Sequence, residues 1–195
     1  MTKHGVWLVG ILAACTSTTS TLDEYEQVES STELTAPAAN VDEAAVKHGR
    51  YLVELLGCAS CHTDGALVGA PDQSRWLAGS SIGIAYTNPL DDPRPGVVFP
   101  KNLTPDTETG IGSWRDVEIK AAIVHGRNRV GERNIGVMPW RSFARLSGSD
   151  LDAITQYLRS LEPVRHDVPS NVLPGERSPA PFVHFGVYQS RDITE

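Results

Sequence analysis

The chain has 195 residues, which is enough for one domain with a hydrophobic core plus extensions. Its formal net charge is −7 at pH 7. This acidic balance argues against nucleic acid as a partner and favours proteins that present a basic docking face.

The N-terminus has the pattern of an export signal. Lys3 and His4 form a short basic start, and residues 5–13 are an apolar run far shorter than the ~20 residues that a membrane-spanning helix needs. Small residues then precede Cys15, as in the lipobox of bacterial lipoproteins. We therefore predict a signal peptide over residues 1–14 and a lipid on Cys15. The alternative is an ordinary secretory signal with an incidental cysteine.

Residues 15–39 form the second predicted segment. They are rich in Thr, Ser and Glu and hold few large apolar side chains, so they cannot bury enough surface to offset the cost of ordering them. We expect a flexible tether, about 25–30 Å in root-mean-square length, between a membrane and the domain that follows. The alternative is a partly ordered arm packed on that domain.

Three helices are predicted in the next segment, residues 40–164. The first covers residues 41–56, with a small residue, Gly49, in its apolar face. The second begins at a capping box of Ser113 and Asp116, and the last begins near Ser147. The apolar face of the second helix is formed by Trp114, Val117, Ala121 and Val124.

Two segments lack helical periodicity. Residues 64–101 are loop-like, with Gly, Pro, Ser and Asp throughout, and so long an irregular stretch is unusual unless it wraps something. A short helical turn is expected at Thr104. Residues 165–195 contain several prolines and are predicted to be an extension that is either draped over the domain or partly disordered.

The most informative motif runs from Cys58 to His62 and reads Cys-Ala-Ser-Cys-His. This spacing is typical of c-type haem attachment, because two thiols three positions apart can add to the two vinyl groups of one porphyrin. The adjacent His62 would then offer a ring nitrogen to the iron as proximal ligand. The motif occurs once, which predicts one covalent haem c.

A bare pair of cysteines has two other interpretations. A zinc site would need a second Cys/His pair, and the only other cysteine is Cys15. A redox-active dithiol is usually found beside a βαβ pattern, which is not evident here. With lipid on Cys15 and haem on Cys58 and Cys61, no thiol remains for a disulfide or a catalytic nucleophile.

Met138 is the candidate for the second axial ligand. It is the only methionine besides Met1, and Pro139 restricts its backbone to extended conformations. A thioether on the iron would raise the reduction potential. The alternative role for Met138 is core filler. The rival axial ligands are histidines: His48, His125, His166 and His184.

Several stretches resemble motifs of class I c-type cytochromes and occur in the same order as in that family. The resemblance is greatest to the monohaem cytochromes that accompany periplasmic dehydrogenases and related respiratory chains. The haem motif is preceded by Gly-Arg-Tyr-Leu-Val at residues 49–53. It is followed by Asn-Leu-Thr-Pro-Asp at 102–106, Thr-Gly-Ile-Gly-Ser-Trp at 109–114, and Met-Pro-Trp at 138–140. The similarity covers residues 48–164.

This resemblance implies an all-α cytochrome c fold, with three to four helices and long loops wrapped around one haem. The first and last helices would cross near Gly49 and Tyr157, with His62 proximal and Met138 distal. Asn102 and Trp114 match positions that hydrogen-bond the haem propionates. Arginines could also neutralise a propionate, with the choice left open among Arg127, Arg129 and Arg133.

Two function classes follow. If both axial positions are filled, the protein is an electron carrier without a catalytic site, relaying electrons between a dehydrogenase or respiratory complex and another carrier. The alternative is a haem enzyme or sensor, peroxidase-like or gas-binding, with an open or labile sixth position. Export and Cys15 place either one on the periplasmic side of a bacterial membrane. Thr16, which is not acidic, favours the outer membrane.

Overall fold

The computed structural model describes Leu34, residues 44–129 and residues 137–186. The helices are α1 (Ala44–Leu55), α2 (Cys58–His62), α3 (Asp116–His125), α4 (Trp140–Phe143) and α5 (Gly148–Ser160). Single 3₁₀ turns occur at Ala66–Val68 and Gln73–Arg75. Among these described helices, none has the length and apolar character needed to cross a membrane.

The packing of α1 against α5 organises the main core. A Cβ atom on Gly49 would lie 2.0 Å from the Ala153 carbonyl oxygen and 2.9 Å from Tyr157 Cβ, so only glycine permits this approach. The predicted crossing near Gly49 and Tyr157 is therefore confirmed. Val53 and Ile154 are buried at the same interface. Leu34, from the predicted tether, also packs against this core.

The helix starts match the predictions in one case and differ in another. Ser147 caps α5, because its hydroxyl oxygen accepts a hydrogen bond from the Asp150 amide at 3.1 Å. The cap predicted at Ser113 is wrong: α3 begins two residues later, where the Arg115 amide donates to Glu118 Oε2 at 2.7 Å. Within α3, Ile119 is buried whereas Val117 is exposed.

A three-stranded sheet lies outside the helical core, so the all-α prediction is corrected. β1 (Gly83–Ala85) pairs antiparallel with β2 (Val97–Val98) and parallel with β3 (Phe182–His184). The strands come from the long loop and from the C-terminal extension. The extension is thus draped over the domain as far as residue 186.

A second apolar cluster lies under this sheet. Val97, Phe99 and Val172 are its buried members, and Val168, Ala180 and Phe182 pack around them. The long loop therefore has its own core, which it shares with the extension. The turn expected at Thr104 is not helical. Instead, Asp106 Oδ1 accepts hydrogen bonds from the Glu108 and Thr109 amides and forms a turn there.

Gly49→Ala tests the helix crossing. The added methyl group would overlap the α5 backbone, so we expect the free energy of unfolding to fall by about 3 kcal/mol despite the better helix propensity of alanine. Gly148→Ala is the matched control, because nothing lies within 4 Å of its Cβ position. Urea titration should show the loss for Gly49→Ala only. Equal stability of the two variants would contradict the crossing.

Candidate cofactor site

The two cysteines of the motif are presented together by α2. Gly57 precedes it with φ +68°, a left-handed conformation that lets the chain turn directly from α1 into α2. Cys58 and Cys61 are three positions apart, so they share one side of this short helix. Both are free thiols and both are half-buried.

The imidazole of His62 makes a hydrogen bond through Nδ1, whereas its Nε2 atom has no partner among the described residues. Its Nδ1 atom lies 2.7 Å from the Lys101 carbonyl oxygen. Because a carbonyl can only accept, Nδ1 carries the proton and Nε2 keeps its lone pair. Burial lowers the pKa of His62, and the bond to Lys101 offsets this only in part. The ring is thus a neutral imidazole whose Nε2 is available to a metal ion.

The backbone around His62 is tied into neighbouring loops. The Gly79 amide donates to the His62 carbonyl at 2.8 Å, and the Leu77 amide donates to Thr63 Oγ1 at 3.1 Å. Leu77 is buried and has φ +55°, a left-handed backbone conformation that is unusual for a residue other than glycine. The Leu103 amide donates to the Leu77 carbonyl at 2.8 Å, which brings the chain around Lys101 alongside.

Asp64 fixes the chain just after the motif. Its Oδ1 accepts from the Ser81 amide at 2.8 Å and from the Ser81 hydroxyl at 2.6 Å, while Arg75 donates to Oδ2 at 2.7 Å. Burial by itself would raise the pKa of Asp64, but these hydrogen bonds outweigh it and leave the pKa below its usual value. Asp64 is therefore an ionised anchor for the 64–81 loop.

Met138 lies in the turn that leads into α4. Its carbonyl accepts a hydrogen bond from the Trp140 amide at 2.8 Å. The Trp140 ring covers the end of α3, since a Cβ on Gly126 would lie 2.7 Å from Trp140 Cδ1. Met138 is half-buried, and it is not among the described side chains that pack against the main core.

Two of the four rival histidines are occupied elsewhere. His48 Nε2 lies 2.8 Å from Asp150 Oδ1, in a contact between α1 and α5. His166 uses both ring nitrogens: Nδ1 donates to the Ala78 carbonyl at 2.9 Å, and Nε2 accepts from Arg75 Nη1 at 3.3 Å. His125 is exposed at the end of α3, and His184 lies in β3.

Asn102, one of the two predicted propionate partners, already makes hydrogen bonds within the protein. Asn102 is buried, and both its amide hydrogens are used: Nδ2 donates to Thr109 Oγ1 at 3.0 Å and to the Val164 carbonyl at 2.7 Å. Its Oδ1 accepts from the Thr104 amide at 2.9 Å and from the Thr104 hydroxyl at 2.7 Å. In this structure Asn102 therefore ties two loops together, and its propionate role stays a prediction.

Trp114 and the three arginines stay predicted partners of the haem propionates. Trp114 is half-buried against the main core, and no described residue accepts a hydrogen bond from its indole N–H. Arg127 is exposed, and Arg129 Nη1 donates to Ser113 Oγ at 3.1 Å. Arg133 lies outside the described residues, as do Cys15 and the signal peptide.

The Lys101 carbonyl was missed by the sequence analysis. Its role depends on a backbone oxygen 39 positions from His62, and a backbone group leaves no signature in residue type. Arg159 was missed as well. It joins α5 to the loop before α3, where it donates to the Ile111 carbonyl at 3.0 Å, and to the start of α3, where it donates to Asp116 Oδ1 at 3.0 Å. An arginine at the end of a helix was the only available signal.

The donor set fits a covalently attached haem. Two free thiols on one short helix are followed directly by a neutral imidazole with Nε2 available. No group of three or more metal-binding side chains occurs in the described part of the chain. Burial raises the pKa of Cys58 to about 11, whereas a reactive dithiol needs a lowered pKa.

Known proteins with similar sequences point the same way. One subunit of the nicotinate dehydrogenase of Pseudomonas putida is 31% identical over 154 residues, which cover 75% of this chain and 12% of that protein. The cytochrome c subunit of the quinone alcohol dehydrogenase of Gluconobacter oxydans is 34% identical over 130 residues, covering 66% of this chain and 24% of that subunit. A diheme c-type cytochrome of Cereibacter sphaeroides is 28% identical over 107 residues, 55% of this chain and 33% of that protein.

The chain is similar to c-type cytochromes. Further relatives are the cytochrome subunits of a fructose dehydrogenase and a gluconate 2-dehydrogenase. These relatives imply a cytochrome c fold and haem c. No protein-family model matches the chain. The matched region spans between about an eighth and a third of the relatives' own length.

Asn102→Ala tests the structural role of that side chain. The substitution leaves the amide of the buried Thr104 without its acceptor and removes the 2.7 Å hydrogen bond to the Val164 carbonyl, so we expect the free energy of unfolding to fall by about 3 kcal/mol. Trp114→Phe keeps an aromatic ring at a half-buried position and breaks no described hydrogen bond of the indole N–H, so its cost should be smaller, about 1 kcal/mol from the lost ring contacts. Thermal unfolding of the two variants measures the difference, and a neutral Asn102→Ala would contradict the tie.

Proposed function

We propose that this chain is a monohaem class I cytochrome c that transfers electrons and is anchored by a lipid on Cys15. Thioether bonds from Cys58 and Cys61 hold one haem, with His62 and Met138 as its axial ligands. The protein relays electrons on the periplasmic side of a bacterial membrane between a dehydrogenase or respiratory complex and another carrier. The outer membrane is the proposed location.

The observation that carries this proposal is the state of His62. Its Nδ1 is committed to the Lys101 carbonyl, and the neighbouring thiols are free. A ring held in this way presents Nε2 in a fixed direction, and the hydrogen bond at Nδ1 increases the basicity of the ligand. The arrangement suits an iron ligand that stays bound in both oxidation states.

Met138 is supported as the second ligand because it is the only methionine besides Met1 and because two of its four rival histidines have other partners. His48 and His166 are engaged with other residues, and Met138 lies outside the main core among the described residues. When bound, the haem supplies one-electron chemistry at its iron. The task of the protein is then to fill both axial positions, exclude competing ligands and set the potential.

The partner is proposed from the relatives and from charge. Several relatives are cytochrome subunits of dehydrogenases, so a dehydrogenase is the proposed electron donor. The net charge of −7 would favour a partner with a basic docking face.

Met138→Ala tests the axial ligand. The oxidised protein should lose the weak thioether–iron charge-transfer band. Its reduction potential should decrease, by less than the roughly 0.8 V over which axial ligands tune haem potentials. Val137→Ala, in the same turn, is the control and should keep both properties. A five-coordinate, high-spin iron in the unmodified protein would instead support the enzyme or sensor alternative. A haem-to-protein ratio of two would contradict the single haem.

Cys15→Ser tests the anchor. If Cys15 carries lipid, the wild-type protein should incorporate labelled fatty acid and sediment with membranes, whereas the variant should do neither. Haem staining of both proteins shows whether the haem domain is intact. Equal membrane association of the two proteins would contradict lipidation at Cys15.

A further inference from the structure

The C-terminal extension packs directly on the loop that carries Lys101. We call residues 166–184 the C-terminal strap. Lys101 Nζ donates to the Pro169 carbonyl at 2.7 Å, and the Phe99 amide donates to Asn171 Oδ1 at 3.1 Å. Val97 and Val172 exchange two backbone hydrogen bonds, at 3.0 and 2.8 Å. Residues 97–101 are thus bonded to the strap along most of their length.

Buried apolar contacts reinforce these bonds. Val97 is fully buried, Phe99 is 2% exposed and Val172 is 6% exposed. Their cluster contains no residue of the main helical core. The position of the Lys101 backbone is therefore determined by the strap and its sheet as well as by the haem-motif segment.

The strap also contacts the segment that is hydrogen-bonded to the main chain of His62. A Cβ on Gly79 would lie 2.5 Å from Val168 Cγ2 and 2.9 Å from the Pro100 carbonyl oxygen, so Gly79 is enclosed between the strap and the Lys101 loop. The amide of Gly79 is the donor to the His62 carbonyl. His166, at the start of the strap, donates to the adjacent Ala78 carbonyl.

We propose that the C-terminal strap positions His62 by holding the Lys101 carbonyl against its imidazole. This inference rests on the proposed function, in which His62 binds the iron. A firmly held carbonyl keeps the Nδ1 hydrogen bond short, which raises the basicity of the ring and increases electron donation from Nε2. Asn171 and Val172 are positioning residues, because they act through Lys101 and touch neither the iron nor the haem.

The test uses the full-length haem-loaded protein. Asn171→Ala removes the acceptor for the Phe99 amide, and Val172→Ala loosens the cluster below it. The control is Leu173→Ala, since Leu173 is the next residue and is 61% exposed. NMR of the reduced protein follows the exchange of the His62 Nδ1 proton with solvent. Exchange should accelerate about 2- to 10-fold in the first two variants, as loss of one hydrogen bond implies.

The reduction potential provides a second readout. A weaker bond at Nδ1 lowers electron donation to the iron, so the potentials of Asn171→Ala and Val172→Ala should rise while that of Leu173→Ala stays at the wild-type value. Asn171→Asp keeps an oxygen acceptor, and we expect it to restore slow exchange of the His62 proton.

Two results would overturn the inference, and they can be told apart. If Asn171→Ala and Val172→Ala lower only the melting temperature and leave proton exchange and potential unchanged, the strap merely adds stability. If His62→Ala keeps the axial spectrum of the wild type, His62 is not a ligand, and the proposed function fails together with the strap's role.

Discussion

The hydrogen bond from His62 to the Lys101 carbonyl connects parts of the molecule that are distant in sequence. On one side is the short helix that carries both cysteines, and on the other is a loop 39 residues away. The surrounding bonds, from Gly79 to His62 and from Leu103 to Leu77, keep these two segments in register. The direction of the imidazole, and hence the use of the whole motif, depends on this contact.

Two cores of different origin support that contact. The first comes from α1 and α5, whose backbones approach at Gly49, and it carries α2 because Cys58 packs against it. The second comes from the small sheet and the strap, and it carries Lys101. The site lies where segments from the two cores meet, so changes in either one are expected to reach His62.

Much of the helical framework could be predicted from the sequence. The cap at Ser147 and the close approach at Gly49 are short-range or pairwise signals that a sequence carries directly. The predicted face of α3 was wrong at Val117, because the apolar residues of this helix do not lie on a single stripe, and only the neighbouring elements decide that Ile119 is buried and Val117 is exposed. The sheet was missed because strands of two or three residues have no measurable periodicity.

The sequence alone determined the chemistry of the motif: two thiols three positions apart, followed directly by one imidazole, in the order typical of c-type haem attachment. Covalent attachment depends on spacing along the chain, and spacing is visible in the sequence. The tertiary structure decided which groups support that chemistry. It directed both amide hydrogens of Asn102 to protein partners and supplied His62 with a backbone acceptor from Lys101. Such partners are chosen by distance in space, and every residue carries the same carbonyl, so no pattern of residue types could reveal them.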